Sequence, residues 1–200
     1  MVLRYYLSLR HPDRVTVDDL DRALATLDIG CVDLPLGGVE PRAWRRVIDG
    51  LLPTVQAGQS ALIVSGLAAD AAARLVAAAQ LDGVRSDVPP DVERTPVAGL
   101  RRMLDPDAII VAAAGVSRHA AMLAGEDGAD AVMLGDPAAA EETLTTVEWW
   151  ADLMTIPSIA TGLTTPDAVN AAADRGADFV DLGALNWREP ETLAALRRPR

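Results

Sequence analysis

Short apolar, β-branched runs alternate with alanine-rich amphipathic segments from one end of the chain to the other. A strand-sized run followed by a helix-sized period is the pattern of βα units, which build a parallel sheet. Eight runs read as strands, over 3–9, 29–34, 61–65, 83–86, 108–112, 131–134, 158–161 and 179–182. Helical patterns fall between and after them, over 17–27, 40–55, 68–80, 94–104, 118–127, 141–154, 166–175 and 190–198. Eight such units predict one (β/α)8 barrel domain over residues 1–200, with a doubly wound open sheet as the alternative.

An internal echo supports closure. Leu-Asp-Gly-Val at 81–84, Gly-Ala-Asp-Ala-Val at 128–132 and Gly-Ala-Asp-Phe-Val at 176–180 each close a helix and open a strand. Asp82, Asp130 and Asp178 lie 48 residues apart, the length of two βα units, so one device recurs at equivalent places. Gly128 and Gly176 are placed to supply left-handed helix C-caps. These aspartates fall at strand N-termini, on the face of a barrel that serves stability, and are expected to be structural.

Half of the chain is apolar, with no run long enough for a membrane span, as one globular domain requires. A net charge of −11 opposes nucleic acid and anionic membranes, since a polyanion needs a basic stripe. The N-terminal residues lack the pattern of a secretory leader, and a single cysteine, Cys31, permits no internal disulfide; both point to the cytoplasm. Cys31 is expected to be a buried small hydrophobe. All eighteen basic residues are arginine, so neither a Schiff-base lysine nor a P-loop lysine is available.

Barrel chemistry sits just past the strands' C-terminal ends. The strongest pattern there is the pair of loops after strands 7 and 8, where glycines let backbone N–H groups approach an anion. Gly162, Thr164, Gly183 and Ala184 are the phosphate-binding candidates, and the partner implied is a small phosphorylated molecule. The same residues also fit a merely well-capped corner, with Thr165 as N-cap and Pro166 at the first helical position. Ser65 and Arg85 end strands 3 and 4; Arg85 is free to bind an anionic group or to pair with Asp87 or Asp91. Ser117 reads as a helix N-cap, and His119 follows it as a surface or acid–base histidine. His11, just after strand 1, has the same two readings. No metal-ligand spacing and no Gly-x-Ser-x-Gly motif occurs. Trp44, Trp149 and Trp150 fall in helical segments, where core packing or a subunit contact is expected, so a homo-oligomer is compatible with the sequence.

Several stretches together resemble the thiamine phosphate synthase family, which includes the bacterial thiazole tautomerases. They are LIVSGLAADAA…LDGVRSD (62–87), LDPDAIIVAAAGVSRHAAMLAGEDGADAVMLG (104–135), WWADLMTIPSIATGLTTPDAVNAAADRGADFVDLG (149–183) and Leu185-Asn186-Trp187. The resemblance covers nearly the whole chain and implies the barrel. It implies joining of an aminopyrimidine methyl diphosphate to a thiazole phosphate, with Mg2+ helping diphosphate leave. The family's Gln-x-Arg-x-x-Lys segment corresponds here to Asp33-Leu34-Pro35 and the following glycines. Its Asn-Asp pair falls around Ser65-Gly66, and its Thr-x-x-Lys loop falls in the alanine-rich 136–140 stretch. The tautomerase histidine corresponds roughly to Asp136. Asp87 or Asp91 would stand in for the metal-binding aspartate. Charge that such a reaction needs around its leaving group is thus missing. The expectation is a divergent protein of thiamine metabolism that binds a thiazole phosphate or thiamine monophosphate without ordinary turnover. The alternatives are a catalytically silent binding module and a phosphate-binding barrel with different chemistry.

Overall fold

The computed structural model describes residues 3–196. Its strands are β1 (Arg4–Ser8), β2 (Ile29–Pro35), β3 (Ala61–Ser65), β4 (Gly83–Asp87), β5 (Ile109–Gly115), β6 (Ala131–Leu134), β7 (Ser158–Ala160) and β8 (Phe179–Asp181). Each pairs in parallel with the next, and β8 pairs with β1 to close the ring. The helices are α1 (Val17–Thr26), α2 (Pro41–Ala57), α3 (Ala69–Ala79), α4 (Val97–Met103), α5 (Arg118–Glu126), α6 (Ala140–Leu153), α7 (Pro166–Asp174) and α8 (Pro190–Ala195). The predicted barrel is therefore the observed one. The last predicted helix, over 190–198, ends at Ala195 with Leu196 extended, and 197–198 lie outside the described residues. No helix among the described residues is long and apolar enough to cross a membrane.

Alternation along the strands sorts two cores. Outward side chains such as Leu7, Val32, Leu62, Val84 and Val132 pack under the helices in the main core. Inward positions form a separate cluster with Tyr6, Cys31, Ile63, Val111, Met133 and Ile159. Cys31 is buried there, as expected, and burial pushes its thiol well above the ordinary value, which leaves it inert.

The recurring aspartates act as staples. Backbone N–H groups of Leu62, Ile110 and Ser158 donate to carboxylates of Asp82, Asp130 and Asp178 at 2.7, 2.7 and 2.8 Å, each across 20 residues. Each staple ties the start of one strand to the entry of the next, and it does so for the pairs β3–β4, β5–β6 and β7–β8. Gly128 and Gly176 take the left-handed cap at φ +97 and +89; Gln80, the equivalent residue in the first repeat, takes it at φ +53 despite its side chain.

One helix is shorter than its pattern. The predicted helix over 94–104 begins only at Val97, because Thr95 is held before Pro96 by Asp127, whose carboxylate accepts from both its amide (3.1 Å) and its hydroxyl (2.7 Å). A residue preceding proline is also driven away from the helical region.

Candidate functional site

On β2, β3, β4 and β8 the inward residues at the C-terminal ends, Asp33, Ser65, Arg85 and Asp181, are polar, whereas β5 and β6 stay apolar there with Ala113 and Met133. Arg85 of β4 organises one side. Its Nε donates to Asp33 Oδ2 of β2 at 2.7 Å, Nη2 to Ser65 Oγ of β3 at 3.0 Å, and Nη1 to Asp87 Oδ1 at 3.0 Å. All three nitrogens of the guanidinium are thereby engaged. Asp33 is fully buried, whereas the Asp87 side chain is 79% exposed, so Asp33 is the partner that holds Arg85 in place.

Electrostatics follow from this packing. Burial pushes the Asp33 carboxyl above its ordinary value, while the guanidinium of Arg85 and the Ser65 hydroxyl draw it back. Burial opposes charge on Arg85, but its partners together, Asp33 foremost with Tyr6 and Asp87, outweigh it and keep the guanidinium protonated. Tyr6 lies in the same field: burial, then Asp33, keeps its phenol protonated.

Asp181 of β8 organises the other side. Its Oδ1 accepts from the amides of Ser8 (2.9 Å) and Gly183 (3.0 Å), and its Oδ2 from Thr161 Oγ1 at 2.7 Å. The inward layer thus sets Arg85, already paired, against the carboxylates of Asp33, Asp87 and Asp181, while Arg10 and Arg188 line a pocket beside Gly183. A diphosphate approaching this layer meets a net negative wall.

The two glycine corners are drawn in tightly by their neighbours. Gly162 has φ +78, and a Cβ on it would lie 2.8 Å from the Pro137 nitrogen. A Cβ on Gly183 would lie 2.7 Å from both Cβ and O of Ser8. Thr165 caps α7 by accepting from the Ala168 amide at 3.2 Å, with Pro166 at the first helical position. Gly183's own N–H is taken by Asp181, whereas the amides of Leu163, Thr164 and Ala184 have no acceptor among the described residues. Thr164 is exposed and Ala184 half-buried, so these two residues border the mouth, whereas Leu163 is buried in the main core.

The remaining candidates scatter. Ser117 is the N-cap predicted, accepting from the Ala120 amide at 3.2 Å, and its hydroxyl also reaches the Pro90 carbonyl at 3.4 Å. His119 is exposed on α5, His11 is exposed after β1, and Asp91 is exposed in the loop before α4. Of the residues nominated from sequence, Ser65, Arg85 and Asp87 come together; Asp91, Ser117 and His119 do not join them. On the side of the mouth after β2 and β3, a Cβ on Gly37 would lie 2.4 Å from the Gly66 carbonyl oxygen.

Among the described residues no three His, Cys, Asp or Glu side chains converge into an all-protein Mg2+ cage; Asp87, bonded to Arg85 but exposed at the mouth, is the carboxylate that would meet Mg2+ carried by a substrate diphosphate.

The sequence reading did not nominate Tyr6, Asp33, Thr161 and Asp181 as site residues. A signal existed: Cys31 and Asp33 share the inward parity of β2, and a carboxylate on the inward face of an apolar strand requires a buried partner. Thr161 and Asp181 also stand 20 residues apart, the interval of the three staples.

Comparison with known proteins gives a consistent picture. The thiamine monophosphate synthase family matches residues 8–183. A thiamine-phosphate synthase of Rhodospirillum centenum is 35% identical over 183 residues, spanning 88% of this chain and 84% of its own. One from Erythrobacter litoralis is 38% identical over 103 residues, 47% of this chain and 48% of its own. Thiamine phosphate pyrophosphorylase from Pyrococcus furiosus shares the fold, with TM-score 0.76 at 16% identity, covering 96% of this chain and 91% of that one.

Proposed function

The chain belongs to the thiamine monophosphate synthase family, and from that membership we propose that it binds a thiazole phosphate or thiamine monophosphate at the β7 and β8 loops but does not perform ordinary synthase turnover. The observation that carries this reading is the state of Arg85. Diphosphate departure needs cations aimed at developing charge, each worth on the order of 10²-fold in rate. Here the guanidinium of Arg85, on the inward face of β4, is engaged by Asp33, Ser65 and Asp87, while Arg10 and Arg188 line a pocket beside Gly183 at the phosphate corner. Lysine is absent from the sequence, so none can substitute.

The phosphate end is better provided. Amides of Leu163, Thr164 and Ala184, without an acceptor among the described residues, belong to the loops after β7 and β8, the first of which leads into the capped N-terminus of α7, an arrangement that suits a monophosphate. Gly162 and Gly183 let the two loop backbones come this close to their neighbours. Thus the chain's own residues would anchor the phosphate and leave the diphosphate half of the reaction unsupported.

A second reading, an active transferase, is favoured by the name that the 35% identical Rhodospirillum centenum relative carries. Calorimetric titration separates the two. Thiamine monophosphate and thiazole phosphate should bind without dependence on Mg2+, and aminopyrimidine methyl diphosphate should give no Mg2+-dependent binding. Failure of both monophosphates to bind overturns the proposal, and tight Mg2+-dependent binding of the diphosphate supports the transferase.

A further inference from the structure

The pocket beside Gly183 opens between the segments that follow β1 and β8, and no residue after β7 lines it. In the ring β8 lies between β7 and β1, so this pocket and the β7–β8 loops flank one strand end from opposite sides. Its volume is about 140 Å³, close to that of an engineered cavity that takes up benzene, which leaves room for a group of about six non-hydrogen atoms. Buried Leu9, Leu185 and Trp187 give it apolar walls, and Arg10, His11 and Arg188 give it polar ones.

Charge sets this pocket apart. The chain carries −11, yet among the described residues no Asp or Glu lines the pocket, whereas two arginines do. Elsewhere Arg4, Arg45, Arg74, Arg85, Arg101 and Arg175 each pair with a carboxylate within 3.3 Å. Arg10 is exposed, and its guanidinium has neither an ion pair nor a hydrogen bond among the described residues. Arg188 is loosely engaged: Asp19 lies 3.7 Å from its Nε and Nη2 donates to the Arg14 carbonyl at 3.5 Å, which leaves Nη1 without a partner among the described residues. Its guanidinium carbon sits 5.5 Å from the centroid of the Trp187 ring, a cation–π contact that holds the side chain at the pocket wall. Guanidinium forks with N–H groups to spare match the geometry of an oxyanion and bond it with charge assistance.

We propose that this pocket is an anion site in its own right, distinct from the β7–β8 corner, and that Arg10 and Arg188 hold in it a single phosphate or carboxylate group of a small molecule. The inference goes beyond the monophosphate reading of the β7 and β8 loops and does not depend on it. A neutral group of the same size gains nothing from the two guanidiniums and is not retained.

The chain has two histidines, His11 in the pocket and His119 on α5, so their ring resonances in NMR of the intact protein supply a reporter and an internal control. Inorganic phosphate and acetate, titrated separately at constant pH and ionic strength, are the probes, and whichever saturates at the lower concentration identifies the group the pocket takes. That anion should shift His11 saturably and leave His119 in place; acetamide, the neutral counterpart of acetate, should shift neither. Arg10→Met, at an exposed position, should weaken the response at least about tenfold, and Arg188→Met should do the same. Repeating the titration with thiamine monophosphate in excess should leave the His11 response intact. If thiamine monophosphate itself fails to bind, the reading of the β7–β8 corner falls while His11 still reports on this pocket. Absence of a saturable shift with either anion, an equal response to acetamide, an undiminished response in both arginine variants, or its suppression by thiamine monophosphate would each overturn the proposal.

Discussion

Replacing Arg85 by methionine keeps the apolar stem of the side chain but deletes its charge. Asp33, fully buried, then loses its counter-ion, while Asp87 is exposed enough to turn to water at little cost. Two routes are open to the stranded carboxyl. Staying ionised costs about 3–5 kcal/mol, the usual loss when one partner of a buried pair is removed. Taking up a proton at pH 7 costs about 4 kcal/mol, from an ordinary aspartate value near 3.9 at about 1.36 kcal/mol per unit. The cheaper route caps the loss, so Arg85→Met should destabilise by about 3–4 kcal/mol at pH 7, roughly 2–4 °C of Tm for each.

The same reasoning fixes the sign of the pH dependence. Burial already raises the Asp33 carboxyl in the wild-type protein, and removing Arg85, which lowers it, raises it further. A carboxyl raised on folding contributes stability that is fully present below its unfolded value and is lost as pH rises through the folded one. The gap between variant and wild type should therefore narrow as pH falls from 7 toward 4.5. Urea unfolding at several pH values measures it, and Asp33→Asn combined with Arg85→Met should be more stable than Arg85→Met alone at pH 7. A loss below about 1 kcal/mol, a pH-independent gap, or a double variant no better than the single one would refute the view that Asp33 and Arg85 form one buried unit.

Other perturbations probe the frame and the loops. Asp178→Ala should cost about 1–3 kcal/mol in urea unfolding, because the amide of buried Ser158 loses its acceptor. Gly162→Ala places a methyl group 2.8 Å from the Pro137 nitrogen at φ +78; it should destabilise by roughly 1–3 kcal/mol and weaken thiamine monophosphate at least tenfold by calorimetry.

The barrel was legible because its signals are local and repeated. Strand-sized apolar runs, the aspartates at 82, 130 and 178, and the caps at Thr165 and Ser117 each state their role within a few residues. The mouth was less legible because its bonds span the chain: Asp33 meets Arg85 across 52 residues and Asp181 meets Ser8 across 173. Arg85 stood out as an arginine at a strand end, yet whether it faced a ligand or a carboxylate depended on the partner that the closed ring supplies.

A single-turnover experiment bears most directly on the account. Protein in excess over aminopyrimidine methyl diphosphate, with thiazole phosphate and Mg2+ present, is quenched over hours and assayed for thiamine monophosphate. Binding of the phosphorylated thiazole with product no faster than in the protein-free control is the expected result. Formation of one equivalent of product at a rate that depends on Mg2+ would contradict it.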